Sequence, residues 1–166
     1  MLKSFKSVLF IFFLFVVIGA SAQFRPAAVN WTDDGEAYLT ISNGNIIRHD
    51  VKSGDEKVLV SSAELTPEGA SRPLSFNIYS HSPDYKRWLI FTNTARVWRY
   101  NTRGDYWIYD SQKKQLMQLG KSLPSQSLMF AKISPDGTKA AYVSSHNIYT
   151  EDLATGKITQ LTTTGT

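Results

Sequence analysis

The sequence contains no cysteine among its 166 residues. Without cysteine, no disulfide framework can form and no lipid can be attached through a thiol. If the protein is exported, its stability must therefore come from its hydrophobic core rather than from covalent cross-links.

Several signatures of catalytic and nucleotide-binding sites are also missing. No Gly-x-Ser-x-Gly segment occurs, so no serine has the context of a hydrolase nucleophile. Gly120-Lys121-Ser122 is not a phosphate-binding loop, because Gln115 stands where that loop needs glycine. The histidines, His49, His81 and His146, lack metal-ligand spacing. The sequence therefore predicts no metal and no cofactor.

The net charge of the chain is small once the N-terminal segment is set aside. The whole chain has 18 basic and 14 acidic residues. Residues 1–22 contain Lys3 and Lys6 and no acidic residue, which leaves 18 − 2 = 16 basic residues against 14 acidic ones, a net charge of +2. Nucleic-acid-binding domains usually carry a concentrated positive charge. We therefore expect no nucleic-acid partner.

The long hydrophobic run of the chain lies near the N-terminus. Residues 8–18 form an unbroken apolar run of eleven residues, preceded by the two lysines and followed by Ala20-Ser21-Ala22. This pattern is typical of a secretory signal peptide over residues 1–22, with Gln23 as the first mature residue. The run is shorter than the roughly 20 residues that a membrane-spanning helix needs. We expect an exported protein, periplasmic or extracellular, without a stable membrane anchor after signal cleavage; an uncleaved anchor is the alternative.

The remainder of the chain contains a repeat of about fifty residues. Each unit begins with a turn built on an aspartate, and these aspartates recur 50 and 52 residues apart: Asp34, Asp84 and Asp136. Each unit ends with a second aspartate followed nine residues later by leucine: Asp50 and Leu59, Asp110 and Leu119, Asp152 and Leu161. We predict a propeller domain over residues 23–166, with units at about residues 23–62, 74–120 and 123–166.

The segments between the turns have the composition of short strands. They are rich in β-branched and aromatic residues, and no segment after residue 23 has a clear helical period. Ser134-Pro135-Asp136-Gly137 is typical turn chemistry. The sequence therefore predicts an all-β fold, a partial β-propeller of two blades and most of a third. A plain β-sandwich is the alternative, although its strands would not need the matched spacing of aspartate and leucine.

The second unit is longer than the other two. Its two aspartates are 26 residues apart, whereas the corresponding pairs in the first and third units are 16 residues apart. The ten extra residues fall within residues 92–105, between two neighbouring strands, and predict a hairpin that extends beyond the blade. Such excursions from a rigid scaffold commonly carry function.

Residues 96–110 hold three arginines, two tryptophans and three tyrosines, which suits a core strand pair, a nucleic-acid surface or the edge of a binding site. If residues 96–103 are extended, two sets of side chains alternate between opposite faces. Arg99 and Arg103 would then project together, beside Asn101, and because guanidinium groups suit carboxylates and carbonyl oxygens, both arginines are candidate binding residues. The alternative is a solvent-exposed hairpin face with aromatic packing behind it. One face would hold Arg96, Trp98, Tyr100 and Thr102, and the other Val97, Arg99, Asn101 and Arg103.

Two levels of resemblance to known proteins support the propeller. Residues 133–143, 147–149 and 156–161 resemble the repeat of the Tol-associated and peptidase β-propellers. Val97-Trp98-Arg99-Tyr100, followed by residues 106–110 and 131–137, resembles the N-terminal propeller of the dipeptidyl peptidase IV family. The resemblance runs from about Ser75 to Thr162. It implies an eight-bladed propeller that caps an α/β-hydrolase domain, with this chain as an N-terminal part that ends before the catalytic domain.

The resemblance also implies an activity. Enzymes of this family are serine exopeptidases that remove an N-terminal dipeptide whose second residue is usually proline or alanine. An arginine in a Trp-Arg context of the propeller binds the substrate's backbone carbonyl, and Arg99 matches it through its neighbour Trp98. The other possible site residues, Tyr100, Asn101 and Arg103, would support that site without a role of their own in the family.

No residue here matches the family's Ser-Asp-His triad or the glutamate pair that holds the substrate's amine, so the sequence predicts no catalytic residue. The implied partners are a peptide with a free N-terminus and, for the intact enzyme, a second copy in a homodimer.

Two other interpretations of the function stay open. The chain could be a non-catalytic extracytoplasmic β-propeller that binds peptide or protein, with Arg99 and Arg103 recognising an acidic or C-terminal group. It could also have no function alone, because three units cannot close a propeller ring and leave strand edges uncovered. In that case we expect the mature segment to aggregate when it is made by itself.

Overall fold

The structure is a computed structural model that describes residues 29–165. The predicted signal peptide, residues 1–22, lies outside the described residues. Within residues 29–165, no helix combines the length and apolar character needed to cross a membrane. The regular elements of this range are twelve strands: β1 (Asn30–Trp31), β2 (Ala37–Ser42), β3 (Asn45–Asp50), β4 (Glu56–Val60), β5 (Phe76–His81), β6 (Arg87–Val97), β7 (Tyr100–Asp110), β8 (Gln115–Gln118), β9 (Leu128–Ile133), β10 (Lys139–Ser144), β11 (Asn147–Asp152) and β12 (Ile158–Gln160).

The strands form two antiparallel sheets. The first sheet has the order β1-β2-β3-β4. The second has the order β12-β11-β10-β9-β7-β6-β5, with β8 also paired to β7. The second sheet thus contains two successive four-stranded meanders, β5–β8 and β9–β12, joined where β9 pairs with β7. Successive four-stranded antiparallel meanders are the architecture of propeller blades, and the prediction of an all-β, partial β-propeller is confirmed.

The aspartate turns of the repeat share one hydrogen-bond pattern. In the third unit, the Ser134 hydroxyl donates to Asp136 Oδ1 at 2.6 Å, and that oxygen also accepts the backbone N–H of Thr138 at 3.0 Å. Serine Oγ in turn accepts the backbone N–H of Lys139 at 2.9 Å, which starts the next strand. The hydroxyl-to-carboxylate bond is also 2.6 Å long in the other two units: Thr32 with Asp34, and Ser82 with Asp84.

Two hydrophobic clusters hold the meanders together. One lies between the first sheet and the β5–β8 meander and is centred on Trp88 and Tyr109. The other lies between the β5–β8 and β9–β12 meanders and includes Phe91, Ile108 and Tyr142. Because β6 and β7 contribute to both clusters, the part of these strands that lies in the blade, residues 87–92 and 105–110, packs against a neighbour on each side. This rigid portion is the support for the hairpin that extends from it.

Candidate functional site: an extended hairpin

The hairpin of β6 and β7 is the long excursion that the repeat spacing predicts. Each of these strands has 11 residues, whereas the corresponding strands β2, β3, β10 and β11 have 6 each. The blade register runs from Arg87 opposite Asp110 to Thr92 opposite Asp105, and pairing then continues to Val97 opposite Tyr100. The predicted extension of the hairpin is confirmed. Residues 93–104 stand where each of the other units has a two-residue turn, which accounts for the ten extra residues.

The chain reverses direction at Trp98 and Arg99, between the paired residues Val97 and Tyr100. Trp98 has a φ of 59°, in the left-handed region that bulky residues rarely adopt. The condition for two alternating faces, that residues 96–103 form one extended strand, is therefore not met. Because the turn interrupts that segment, side-chain alternation cannot be carried across it.

The tip of the hairpin presents a cation on an aromatic surface. Trp98 is 86% exposed and Tyr100 is 72% exposed. The guanidinium carbon of Arg99 lies 4.9 Å from the centroid of the Trp98 ring, within the range of a cation–π contact. Within residues 29–165, Arg99 forms no ion pair. The Arg99 guanidinium can therefore donate to an anionic or carbonyl oxygen of a ligand.

The other two predicted polar residues of the hairpin lie on β7. Asn101 lines a cleft of about 260 Å³ between β5, β7 and β9, together with Phe130 and Lys132. Arg103 lines a different cleft, of about 460 Å³, together with His146 of the third unit. Neither cleft includes Arg99. The structure thus brings Trp98 and Arg99 together, whereas Arg103 is directed to the contact with the next meander.

The base of the hairpin contains a buried polar cluster that the sequence analysis missed. Asp105 is 8% exposed, and its carboxylate accepts the backbone N–H of Gln126 and the side-chain N–H of Asn93, both at 2.7 Å. The Ser125 hydroxyl lies 3.2 Å from the same carboxylate. Within residues 29–165, no three side chains of His, Cys, Asp or Glu converge as a metal site would require.

Comparison with known proteins places this geometry in context. Residues 82–166, which are 85 of the 166, match the model of the family described as the dipeptidyl peptidase IV (DPP IV) N-terminal region. The chain is 25% identical over 165 residues to the probable dipeptidyl-aminopeptidase B of Aspergillus oryzae, a match that covers 90% of this chain and 18% of that protein. It is 25% identical over 133 residues to the human prolyl endopeptidase FAP, covering 80% of this chain and 16% of that protein.

A solved structure shows the same fold. The crystal structure of Porphyromonas gingivalis dipeptidyl peptidase 4 superposes with a TM-score of 0.71 at 24% identity, over 84% of this chain and 20% of that chain. The chain thus spans about a fifth or less of the length of each of these proteins.

Proposed function

The chain belongs to the family of the dipeptidyl peptidase IV N-terminal region, and from this premise we propose that it is the N-terminal propeller part of an exported serine dipeptidyl peptidase. The whole enzyme would release N-terminal dipeptides that end in proline or alanine. The nucleophile, its base and the oxyanion hole would lie outside the residues described here. The extended hairpin is the observation that supports a substrate-binding role for this part of the protein.

In this proposal, Arg99 binds the backbone carbonyl of the substrate dipeptide. Its side chain is exposed at the end of a hairpin that leaves the blade, and its guanidinium carries several N–H donors in a planar arrangement. Trp98 supports that guanidinium through the contact at 4.9 Å. By binding that carbonyl, Arg99 would hold the dipeptide in register with the nucleophile, so that its contribution is positioning rather than proton transfer.

We further propose that residues 1–22 direct export and are then removed. The two lysines, the apolar run and the small residues before Gln23 support this proposal. Sequencing the N-terminus of the protein recovered from the periplasm or the culture medium tests it, and the expected first residue is Gln23. A product that begins at Met1 and stays in the membrane fraction would contradict it.

The test of the Arg99 role is the kinetics of Arg99→Ala in the whole protein, with a dipeptidyl-proline chromogenic substrate. A lost hydrogen bond to a charged group is worth about 1.5–3 kcal/mol, so kcat/KM should fall roughly tenfold to hundredfold. Arg96→Ala is the matched control, because Arg96 is an exposed arginine on the same hairpin and also forms no ion pair within residues 29–165. Wild-type kinetics in Arg99→Ala would rule out the role. A purified whole protein without peptidase activity would favour a non-catalytic binding module.

A further inference from the structure

The strand pairing of the hairpin is interrupted at its base. The last regular pair of the blade, Thr92 opposite Asp105, is followed by the pair Ala95 opposite Arg103, so two residues of β6 face one residue of β7. Asn93, at this bulge, has a φ of 47°. A bulge bends the strand that contains it and leaves one residue unpaired. The backbone ladder alone therefore does not fix the direction in which the outer hairpin projects.

Asp105 bridges this interruption. Its Oδ2 accepts a hydrogen bond from Asn93 Nδ2 at 2.7 Å, and its Oδ1 accepts the backbone N–H of Gln126 at 2.7 Å. Gln126 Nε2 donates to Asn93 Oδ1 at 2.8 Å, which closes a ring of three residues. One buried carboxylate thus connects both strands of the hairpin to the segment between β8 and β9. Hydrogen bonds to an ionised acceptor are shorter and stronger than neutral ones, and burial strengthens them further.

The other two units show which part of this arrangement is specific to the hairpin. Asn45 and Asn147 occupy the corresponding position, each five residues before the second aspartate of its unit. Asn45 Oδ1 accepts the backbone N–H of Ser62 at 2.7 Å, and Asn147 Oδ1 accepts that of Gly165 at 3.1 Å. The bond to a backbone N–H is therefore a property of every unit. In the second unit, the carboxylate of Asp105 takes the place of the asparagine amide, and its second oxygen accepts the hydrogen bond from Asn93 in the hairpin.

We propose that Asp105, together with Asn93 and Gln126, is a positioning residue that fixes the direction of the hairpin and so the location of the Arg99 guanidinium over the substrate. This inference rests on the proposed function of Arg99. A substrate-binding group that moves out of reach loses its contact in the ground state and in the transition state alike, so a flexible hairpin base would weaken the contact that Arg99 makes and raise KM.

The experiment compares Asp105→Ala with Asn45→Ala in the whole protein. Asp105→Ala removes the anchor and the bond to the hairpin, whereas Asn45→Ala removes the same type of anchor beside a two-residue turn. With the enzyme concentration set by active-site titration, we expect Asp105→Ala to raise KM at least about fivefold while kcat changes less than about twofold. Asn45→Ala should lower stability but leave KM unchanged, because a loss of folded enzyme reduces the titrated concentration and not KM.

A charge exchange provides a second, independent arm. Asn93→Asp places a carboxylate against Asp105, and we expect a raised KM together with faster cleavage by trypsin after Arg96, Arg99 or Arg103. In the double variant Asn93→Asp/Asp105→Asn, the amide at 105 can donate to the carboxylate at 93 and still accept the N–H of Gln126. Recovery of both KM and trypsin resistance in the double variant is expected, since the hydrogen-bonded ring is restored with its polarity reversed.

The outcomes separate this inference from the role of Arg99. If Arg99→Ala raises KM but Asp105→Ala has the KM and the trypsin cleavage rate of the wild type, the positioning role is overturned and Arg99 keeps its role. If Arg99→Ala has wild-type kinetics, the proposed role of Arg99 fails and the positioning role fails with it. If both variants raise KM, the double variant Arg99→Ala/Asp105→Ala should be no worse than Arg99→Ala, because both changes remove one contact. Additive losses would show that Asp105 acts through a different contact.

Discussion

The hydroxyl of Tyr109 donates a hydrogen bond of 2.6 Å to Glu64 Oε1, across 45 residues of sequence. Tyr109 is buried in β7, whereas Glu64 lies in the connection between β4 and β5. The same carboxylate accepts the Lys114 ammonium and, through its other oxygen, the backbone N–H of Ser61 at 2.9 Å. These bonds tie the connection that leaves the first sheet to the β5–β8 meander, which is the meander that carries the hairpin.

The first prediction is that Glu64 makes stability dependent on acid. Burial alone would raise the pKa of Glu64, but hydrogen bonds from Lys114, Tyr109 and Ser61 lower it from 4.5 to about 2. A carboxyl group whose pKa is lower in the folded state stabilises the fold above its unfolded pKa, and the contribution is lost as the pH falls through the folded value. The difference in unfolding free energy between the wild type and Glu64→Gln should therefore shrink between about pH 5 and about pH 2.

Denaturant titrations of both proteins across this pH window measure the difference. Asp136→Asn serves as a comparison. The pKa of Asp136 is also lowered to about 2, chiefly by the Ser134 hydroxyl, but the hydrogen bonds of the Asp136 carboxylate stay within one exposed turn. A difference between wild type and Glu64→Gln that stays constant with pH would show that the Glu64 carboxylate has no electrostatic role.

The repeat spacing was sufficient to predict the hairpin but not its turn. Two-residue hairpin turns favour residues that tolerate positive φ, and the first unit follows this rule with Asn43 at 50° and Gly44 at 76°. The second unit reverses instead at Trp98 and Arg99, a pair that carries no turn signal. Sequence rules for turns reflect average conformational preferences. The φ of 59° at Trp98 belongs instead to a turn whose place is set by the pairing of β6 with β7, which begins in the blade.

The position of Asp105 could have been found from the sequence. It stands five residues before the second aspartate of its unit, as do Asn45 and Asn147, so aligning the three units shows a polar residue at this offset each time. Its partners could not be found in the same way. Asn93 reaches Asp105 only because a bulge shifts the register of β6, and Gln126 comes from a connection without repeat signals.

The second prediction concerns Glu151, a carboxylate that is 3% exposed in β11. Its Oε2 accepts the backbone N–H of Gly120 at 2.8 Å and the hydroxyl of Tyr142 at 2.9 Å. Glu151→Ala leaves two buried donors without a partner, and each such loss is worth about 1–3 kcal/mol, so the free energy of unfolding should fall by about 2–6 kcal/mol. Tyr142→Phe removes one donor to the carboxylate but leaves the bond to Gly120, and should lower the free energy of unfolding by about 1.5–3 kcal/mol.

Denaturant unfolding, followed through intrinsic fluorescence, distinguishes these two variants. Because Glu151 joins β11 to the turn after β8, the larger loss in Glu151→Ala would show that it stabilises the contact between two successive meanders. If both variants lose the same amount, the bond to the Gly120 backbone contributes nothing, and that contact depends on apolar packing alone.

The final prediction concerns Gly104, which lies opposite the bulge at the hairpin base and pairs with Leu128 of β9. A Cβ at this position would lie 2.6 Å from Phe91 Cε2 and 2.7 Å from the backbone oxygen of Thr92. A phenyl ring can rotate away, but the backbone oxygen cannot move without shifting β6 against β7. Gly104→Ala should therefore lower the free energy of unfolding by about 1–3 kcal/mol through overpacking and also raise KM, because the hairpin base is displaced.

Gly54→Ala is the matched control for Gly104→Ala. A Cβ at residue 54 would meet no atom within 4 Å, and only the φ of 76° opposes the substitution, at about 1–2 kcal/mol. A similar loss of stability in both variants, with KM raised only in Gly104→Ala, is the expected result. An unchanged KM in Gly104→Ala would show that the outer hairpin is insensitive to the packing of its base.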